Sequence, residues 1–296
     1  MGTSTAVDER TGRKYTLDEP DDERPGEPVT FLLNLHGGGS VGMWQREYFP
    51  AYLYKEQYRL VIATPSAATK EPMRRWLAEA DDEHLRNIVE SVLDRYGGRN
   101  IRSFWLVGHS QGGMTANRLL STPFFCERVD GWLSLSGGRI GPAERAPTFG
   151  RPGAPPLPRD LISGSGPRPG VTVPPDCDLS FIFAVGGHEI VKLPETSPWA
   201  EKYGAGPRLR LEDVVDDLPG LIYDTRGNSS KEWGLAPRPG TAQIYVYPNA
   251  RDGRLFADVV RLDKGHTEGL EPRITETLVR LMVEAPGGKV QRLATA

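Results

Sequence analysis

Phe104-Trp105-Leu106-Val107-Gly108-His109-Ser110-Gln111-Gly112-Gly113-Met114 is the stretch that decides how this chain is read. An apolar run breaks at a glycine, presents one serine and resumes with residues that suit a helix. Strand, sharp turn and helix in that order make a nucleophile elbow, where the serine sits on a strained turn with its hydroxyl raised above the sheet. Such a turn needs residues without a Cβ two positions to either side, and Gly108 and Gly112 supply them. The backbone N–H of Gln111, at the helix start, is then directed at any negative oxygen forming beside Ser110.

The same Gly-x-Ser-x-Gly spacing recurs at Gly38-Gly39-Ser40-Val41-Gly42. Context separates the two. Ser110 follows an apolar strand directly and opens a helix, whereas Ser40 lies several residues beyond the run Phe31-Leu32-Leu33-Asn34-Leu35. Ser110 is therefore the expected nucleophile, against the plainer reading of both as ordinary turn serines.

Outward from the elbow, short apolar runs alternate with helical patterns. Strands are predicted at 29–35, 60–63, 132–135, 179–185, 243–247 and 255–262. Helices are predicted from Asp81-Asp82 to the Gly97-Gly98 stop, from the elbow to Leu120, and at 271–284. This alternation predicts an α/β class protein with a mostly parallel central sheet and helices on both faces, with ligands bound beyond the carboxyl ends of the strands. One domain over 1–296 is expected. Two long Pro/Gly-rich excursions, about 137–178 and 192–240, interrupt it and are candidates to cover the site. The first 28 residues are polar, and a possible strand near 13–17 is expected to be an edge.

Composition narrows the function. A net charge of -3 over 296 residues, with no basic stripe, argues against nucleic acid or an anionic membrane as partner. Two cysteines, Cys126 and Cys177, make no disulfide framework. No run reaches the length of a bilayer span, and the opening Met-Gly-Thr-Ser-Thr-Ala lacks the apolar stretch of a secretory signal, so a cytoplasmic location is expected. Histidines and carboxylates show no metal-ligand spacing, so neither metal nor cofactor is expected. The sequence leaves the oligomeric state open.

A serine hydroxyl needs a base, usually histidine, and a carboxylate that orients it. On a nucleophile-elbow fold the chain order is Ser, acid, His. Of the five histidines, only His188 and His266 follow Ser110. His188 leaves little chain after the preceding strand to supply an acid, while His266 lies in a Gly-flanked loop after the last core strand. His266 is the expected base. The acid must follow a strand at the same rim, and Glu189 meets that condition best among Asp224, Asp252, Asp258 and Asp263. The oxyanion hole is expected from the N–H of Gln111 plus that of Gly38 or Gly39. His36, Ser40, Trp44, His109 and His188 are candidates for substrate contact, with His36 also read as a prop for its loop. Trp44, Trp76 and Trp233 are candidates to line an aromatic-friendly pocket.

These stretches carry a resemblance. Gly12-Arg13-Lys14-Tyr15 ahead of Leu35-His36-Gly37-Gly38, Trp76 with Asp81-Asp82, Ile101-Arg102 leading into the elbow, Gly186-Gly187-His188-Glu189 and Gly265-His266 together resemble an α/β-hydrolase. More narrowly they are similar to the esterase branch with polyhydroxybutyrate depolymerase-like and feruloyl-esterase-like proteins. The resemblance implies a Ser-acid-His triad and ester hydrolysis. Departures are Glu189 where that branch has Asp, Thr267-Glu268 where an aromatic often follows the histidine, and the two excursions. The expected activity is that of a serine carboxylic-ester hydrolase on a soluble small or medium ester or lactone. An amide or thioester hydrolase, or a non-catalytic binding homologue, is the alternative.

Overall fold

The computed structural model describes residues 2–22, 24, 26–140, 175–189, 193–224 and 230–295. Its strands are β1 (Gly2–Asp8), β2 (Arg13–Glu19), β3 (Val29–Leu35), β4 (Leu60–Pro65), β5 (Ile101–His109), β6 (Gly131–Leu135), β7 (Ser180–Gly186), β8 (Leu209–Arg210), β9 (Val214–Val215), β10 (Thr241–Val246) and β11 (Phe256–Leu262). They form one sheet in the order β1-β2-β4-β3-β5-β6-β7-β11-β10-β8, with β9 also on β10. From β4 to β11 neighbouring strands run parallel. Antiparallel strands flank this block at both ends. This is the mostly parallel α/β sheet expected from the sequence.

Side chains alternate across the sheet, so each parallel strand feeds two cores. Phe31, Leu33, Phe104 and Leu106 pack on one face with Leu85, Ile88 and Val92 of the helix Ala78–Tyr96 and with Leu119 of the helix Gln111–Leu120. Leu32, Trp105, Val107 and Val259 pack on the other face with Tyr48 of the helix Gly42–Tyr48 and with Ile274, Leu278 and Met282 of the helix Pro272–Glu284. All of these residues are essentially inaccessible, and full burial of a Leu or Phe contributes about 2 kcal/mol.

Connections from β3 lead to β4 on one side, whereas β5 lies on its other side. The strand order therefore reverses between β3 and β5, which opens a crevice at their carboxyl ends. The turn carrying Gly37-Gly38-Gly39 leaves β3 at this crevice, and Ser110 leaves β5 beside it.

The structure corrects several details. The 13–17 segment is not the edge. β2 is covered by β1 on one side and β4 on the other, and its Tyr15 and Leu17 are buried. A short helix, Lys289–Leu293, follows the expected last helix and packs on β5. Most of the first excursion, 141–174, lies outside the described residues, as do 192 and 225–229 of the second. The described part of the second contributes the helix Pro198–Lys202 and the short strands β8 and β9, which extend the sheet beyond β10. Among the described residues, no helix is long and apolar enough to cross a membrane.

Candidate active site

Ser110 lies between the last residue of β5 and the first residue of the helix Gln111–Leu120, with φ 51° and ψ -117°. A non-glycine residue held there stores roughly 1–3 kcal/mol of strain, which the surroundings must hold in place. Its N–H donates to the Leu135 carbonyl of β6 at 2.8 Å, and its own carbonyl accepts from Gly113 and Met114. Close packing explains the flanking glycines. A Cβ on Gly108 would lie 2.3 Å from the Gly112 carbonyl carbon, and one on Gly112 would lie 2.2 Å from the Leu35 carbonyl oxygen. Ser40 shows none of this, because its backbone φ is not positive and it lies ahead of the helix Gly42–Tyr48 in an ordinary turn.

His266 and Glu189 come from loops after β11 and β7, neighbouring strands of the parallel block. His266 Nδ1 donates to Glu189 Oε2 at 2.6 Å, and both side chains are buried. Glu189 Oε1 accepts from the Gly186 N–H at 2.8 Å and the Ser136 hydroxyl at 2.9 Å. The extra methylene of glutamate is taken up by folding the carboxylate back onto its own turn, where a Cβ on Gly186 would already press on Glu189. Three of the four competing acids are placed elsewhere. Asp258 is clamped by Arg139 at 2.8 Å, Asp263 is exposed and faces His188, and Asp252 sits in a surface turn beside Arg251.

Ser110 and His266 line one cleft, together with Gly38, Ser40, Trp44 and Trp233. Asp224, from the second excursion, also faces it, as do Gly37, His109 and Thr267. Trp233 comes from the same excursion and stacks against the His266 ring at 5.3 Å. Its carbonyl accepts from the Thr267 N–H at 2.7 Å, and the Glu232 carbonyl accepts from that of His266 at 3.0 Å. The described part of this excursion thus forms one wall of the cleft.

Between the two candidate glycines of the β3 turn, hydrogen bonding discriminates. The Gly39 N–H donates to the Arg74 carbonyl at 2.7 Å, which turns it away from the cleft. Gly38 lines the cleft and lies next to Gln111, whose backbone N–H is the first of its helix. The Gln111 side chain is engaged, since its Oε1 accepts from the Trp76 N–H at 3.2 Å.

Three proposed contacts fall outside the cleft. His36 is fully buried: its Nδ1–H donates to the Gly37 carbonyl at 2.7 Å and its Nε2 accepts from the Ala67 N–H at 3.0 Å. Burial pushes its pKa down to about 4, so it is a neutral prop for the turn and not a substrate ligand. Trp76 packs on His36 and donates its Nε1–H to the His36 carbonyl at 2.8 Å. His188 turns its Nδ1 to the Lys231 carbonyl at 3.2 Å, on the outer side of the loop.

Sequence reasoning missed what holds the His266 loop. Lys264 and Glu271 are buried and paired at 2.7 Å, and Arg261 bonds Glu271 at 3.1 Å and the carbonyls of Glu268 and Gly269. Glu268 accepts from the N–H groups of Gly265 at 3.2 Å and Leu235 at 2.9 Å, and pairs with Arg238 at 3.0 Å. The loop is therefore bolted both to the sheet and to the second excursion. Ser136, which directs Glu189, was also missed, although it stands just past the carboxyl end of β6 where site residues are expected.

Sheet order, elbow and rim together define the α/β-hydrolase fold. No family model and no curated protein matches the sequence. Among solved structures, the chain is similar to an acetyl xylan esterase from Aspergillus awamori, at 11% identity and TM-score 0.51, over 95% of this chain and 100% of that one. It is also similar to a thermophilic esterase from Thermogutta terrifontis, at 14% identity and TM-score 0.42, over 62% and 70% of the two chains. Fluorophosphonate-binding serine hydrolase F from Staphylococcus aureus matches at 11% identity and TM-score 0.38, over 63% and 78%.

Proposed function

We propose that the protein is a serine hydrolase that cleaves a small carboxylic ester or lactone through an acyl-enzyme. Ser110 attacks the carbonyl carbon and passes its proton to His266, whose Nδ1–H is held by Glu189. The N–H groups of Gln111 and Gly38 receive the oxyanion, and His266 returns the proton to the leaving alcohol. Water activated by the same imidazole then releases the acid and regenerates the serine. The observation that carries the proposal is the 2.6 Å bond from His266 to a buried carboxylate, with the imidazole opening onto the cleft that holds the strained Ser110.

The cleft is narrow, and its enclosed space of about 30 Å³ lies well below the roughly 300–1,000 Å³ of ligand pockets, which favours a small acyl group over a bulky one. Trp44 and Trp233 give it two aromatic walls. The Aspergillus neighbour is itself named as an esterase. Replacing Ser110 with alanine is expected to abolish turnover of short nitrophenyl esters and labelling by a fluorophosphonate. Unchanged turnover in a folded Ser110→Ala protein would overturn the assignment.

A further inference from the structure

The residue directly before the nucleophile reaches across the site to the base. His109 ends β5, and its ring is nearly inaccessible. Its Nε2 lies 2.8 Å from the carbonyl oxygen of His266, 157 residues away in the chain. A carbonyl only accepts, so Nε2 carries the hydrogen. In the neutral ring Nδ1 is then bare, and among the described residues it is buried without a partner. It faces Gly37, where a Cβ would come within 2.7 Å of it. The ring packs between Tyr48, at 4.1 Å, and the ring of His266, at 4.8 Å. The Tyr48 hydroxyl donates to the same His266 carbonyl at 3.3 Å.

We propose that His109 is a positioning residue that sets the His266 backbone against Ser110, acting as a permanently neutral imidazole with its single proton on Nε2. This rests on Ser110 and His266 being the reacting pair. The physical reason is economy of linkage: the nucleophile's chain neighbour grips the base's main chain, so the two groups move together although they lie on different strands. Glu189 fixes the far edge of the His266 ring, and His109 fixes the backbone from which that ring hangs. Neutrality is part of the role, since an imidazolium stacked on His266 would oppose the charge His266 gains during attack. Burial disfavours the charged form of His109, and the nearby Arg261 guanidinium opposes it further.

Displacing a reacting group by about 1 Å can cost about 100-fold in rate. His109→Leu, which keeps bulk and removes the donor, is therefore expected to lower kcat by about 30- to 100-fold while leaving KM within about threefold. His109→Gln restores a neutral donor at similar reach and is expected to recover kcat to within about tenfold of the parent. Both are measured beside Ser110→Ala, with circular dichroism to establish folding. An unimpaired His109→Leu, or a His109→Gln as slow as His109→Leu, overturns the role of His109 while an inactive Ser110→Ala leaves the proposed function standing. Activity in Ser110→Ala overturns both. Should His109→Leu fail to fold, ¹⁵N NMR of the unmodified protein decides. A bare Nδ1 and protonated Nε2 that do not titrate between about pH 5 and 9 support the proposal, and a titrating ring or the opposite tautomer overturns it.

Discussion

Two buried histidines in this molecule each hold a carboxylate through Nδ1, and only one belongs to the proposed catalytic site. His84 lies 2.7 Å from Asp8, and His266 lies 2.6 Å from Glu189. The first pair fastens edge strand β1 to the helix Ala78–Tyr96, and its carboxylate also takes bonds from Asn87, Thr11 and the Arg10 N–H. Among the described residues the far nitrogen of His84 is buried without a partner, whereas the ring of His266 opens on a cleft beside a strained serine. A histidine–carboxylate pair is thus not a catalytic signature in itself. What the other nitrogen faces decides whether the pair staples a strand or moves a proton.

The strongest way to break this comparison is to remove each histidine in turn. His266→Gln is expected to lower kcat by about 10⁴-fold or more with little change in thermal stability. His84→Leu should do the reverse. Hydrolysis per folded molecule stays within about twofold, and stability falls by about 1–3 kcal/mol because Asp8 loses a buried hydrogen-bond partner. Denaturant melts and initial rates on the same preparations separate the two. If His84→Leu lost turnover without unfolding, the distinction drawn from the cleft would fail.

Changing the acids sharpens the contrast. In Glu189→Gln the amide N–H₂ or carbonyl faces His266 Nδ1 without a charge, so the imidazolium formed during attack is no longer stabilised. A fall in kcat of about 10³- to 10⁴-fold is expected, with KM nearly constant. Asp8→Asn should leave kcat alone. Its carboxylate is pushed upward by burial but held below the usual range by the stronger combined effect of Thr11, His84, Asn87 and the Arg10 N–H, so the cost of its loss appears as stability.

These pairs also mark how far sequence reading reached. The parallel strands and the elbow were legible because continuous apolar runs such as 104–107 and 181–185 have few alternatives to a strand buried on both faces. β1 was not, because Thr3, Ser4 and Thr5 are exposed and the strand earns its place through backbone pairing with β2. Chain order pointed to His266, Glu189 and Ser110. It could not distinguish Gly38 from Gly39, because that depends on the Arg74 carbonyl arriving from a distant loop. Nor could it find the Arg261, Lys264, Glu268 and Glu271 cluster, since buried charges look like surface charges until their partners are known. Glu268, noted as a departure from the family pattern, is one of the groups that secure the loop.

The buried histidines make stability depend on pH. Burial lowers the pKa of His36 from 6.5 to about 4, and also lowers those of His84 and His109. An unfolded chain takes up these protons from about pH 6.5 downward, whereas folded His36 does so only near pH 4. The unfolded state therefore binds more protons in this window, and stability must fall as pH drops through it. His36 alone accounts for about 3 kcal/mol of loss between those limits. Urea melts at pH 7 and at about pH 4.5 test this, and His36→Gln should flatten the difference. An equal slope in the variant would remove His36 as a contributor.

The smallest effect is expected at the second Gly-x-Ser-x-Gly. Ser40 lines the cleft with Ser110, and its hydroxyl is buried without a partner among the described residues, so on exposure and composition alone the two serines look interchangeable. Backbone geometry says otherwise. Ser110 has positive φ, a strand immediately behind it and a helix ahead, while Ser40 sits in a turn whose N–H bonds back to Gly37 at 3.2 Å. Ser40→Ala removes a polar atom that makes no bond to the described residues, so ester turnover should stay within about threefold and KM should shift more than kcat if the hydroxyl meets the substrate. A fluorophosphonate should still label the Ser40→Ala protein at Ser110, as mapped by peptide mass spectrometry. Labelling at Ser40 in the parent protein would mean that a serine can act from this rim without an elbow, and the comparison between the two turns would no longer locate the nucleophile.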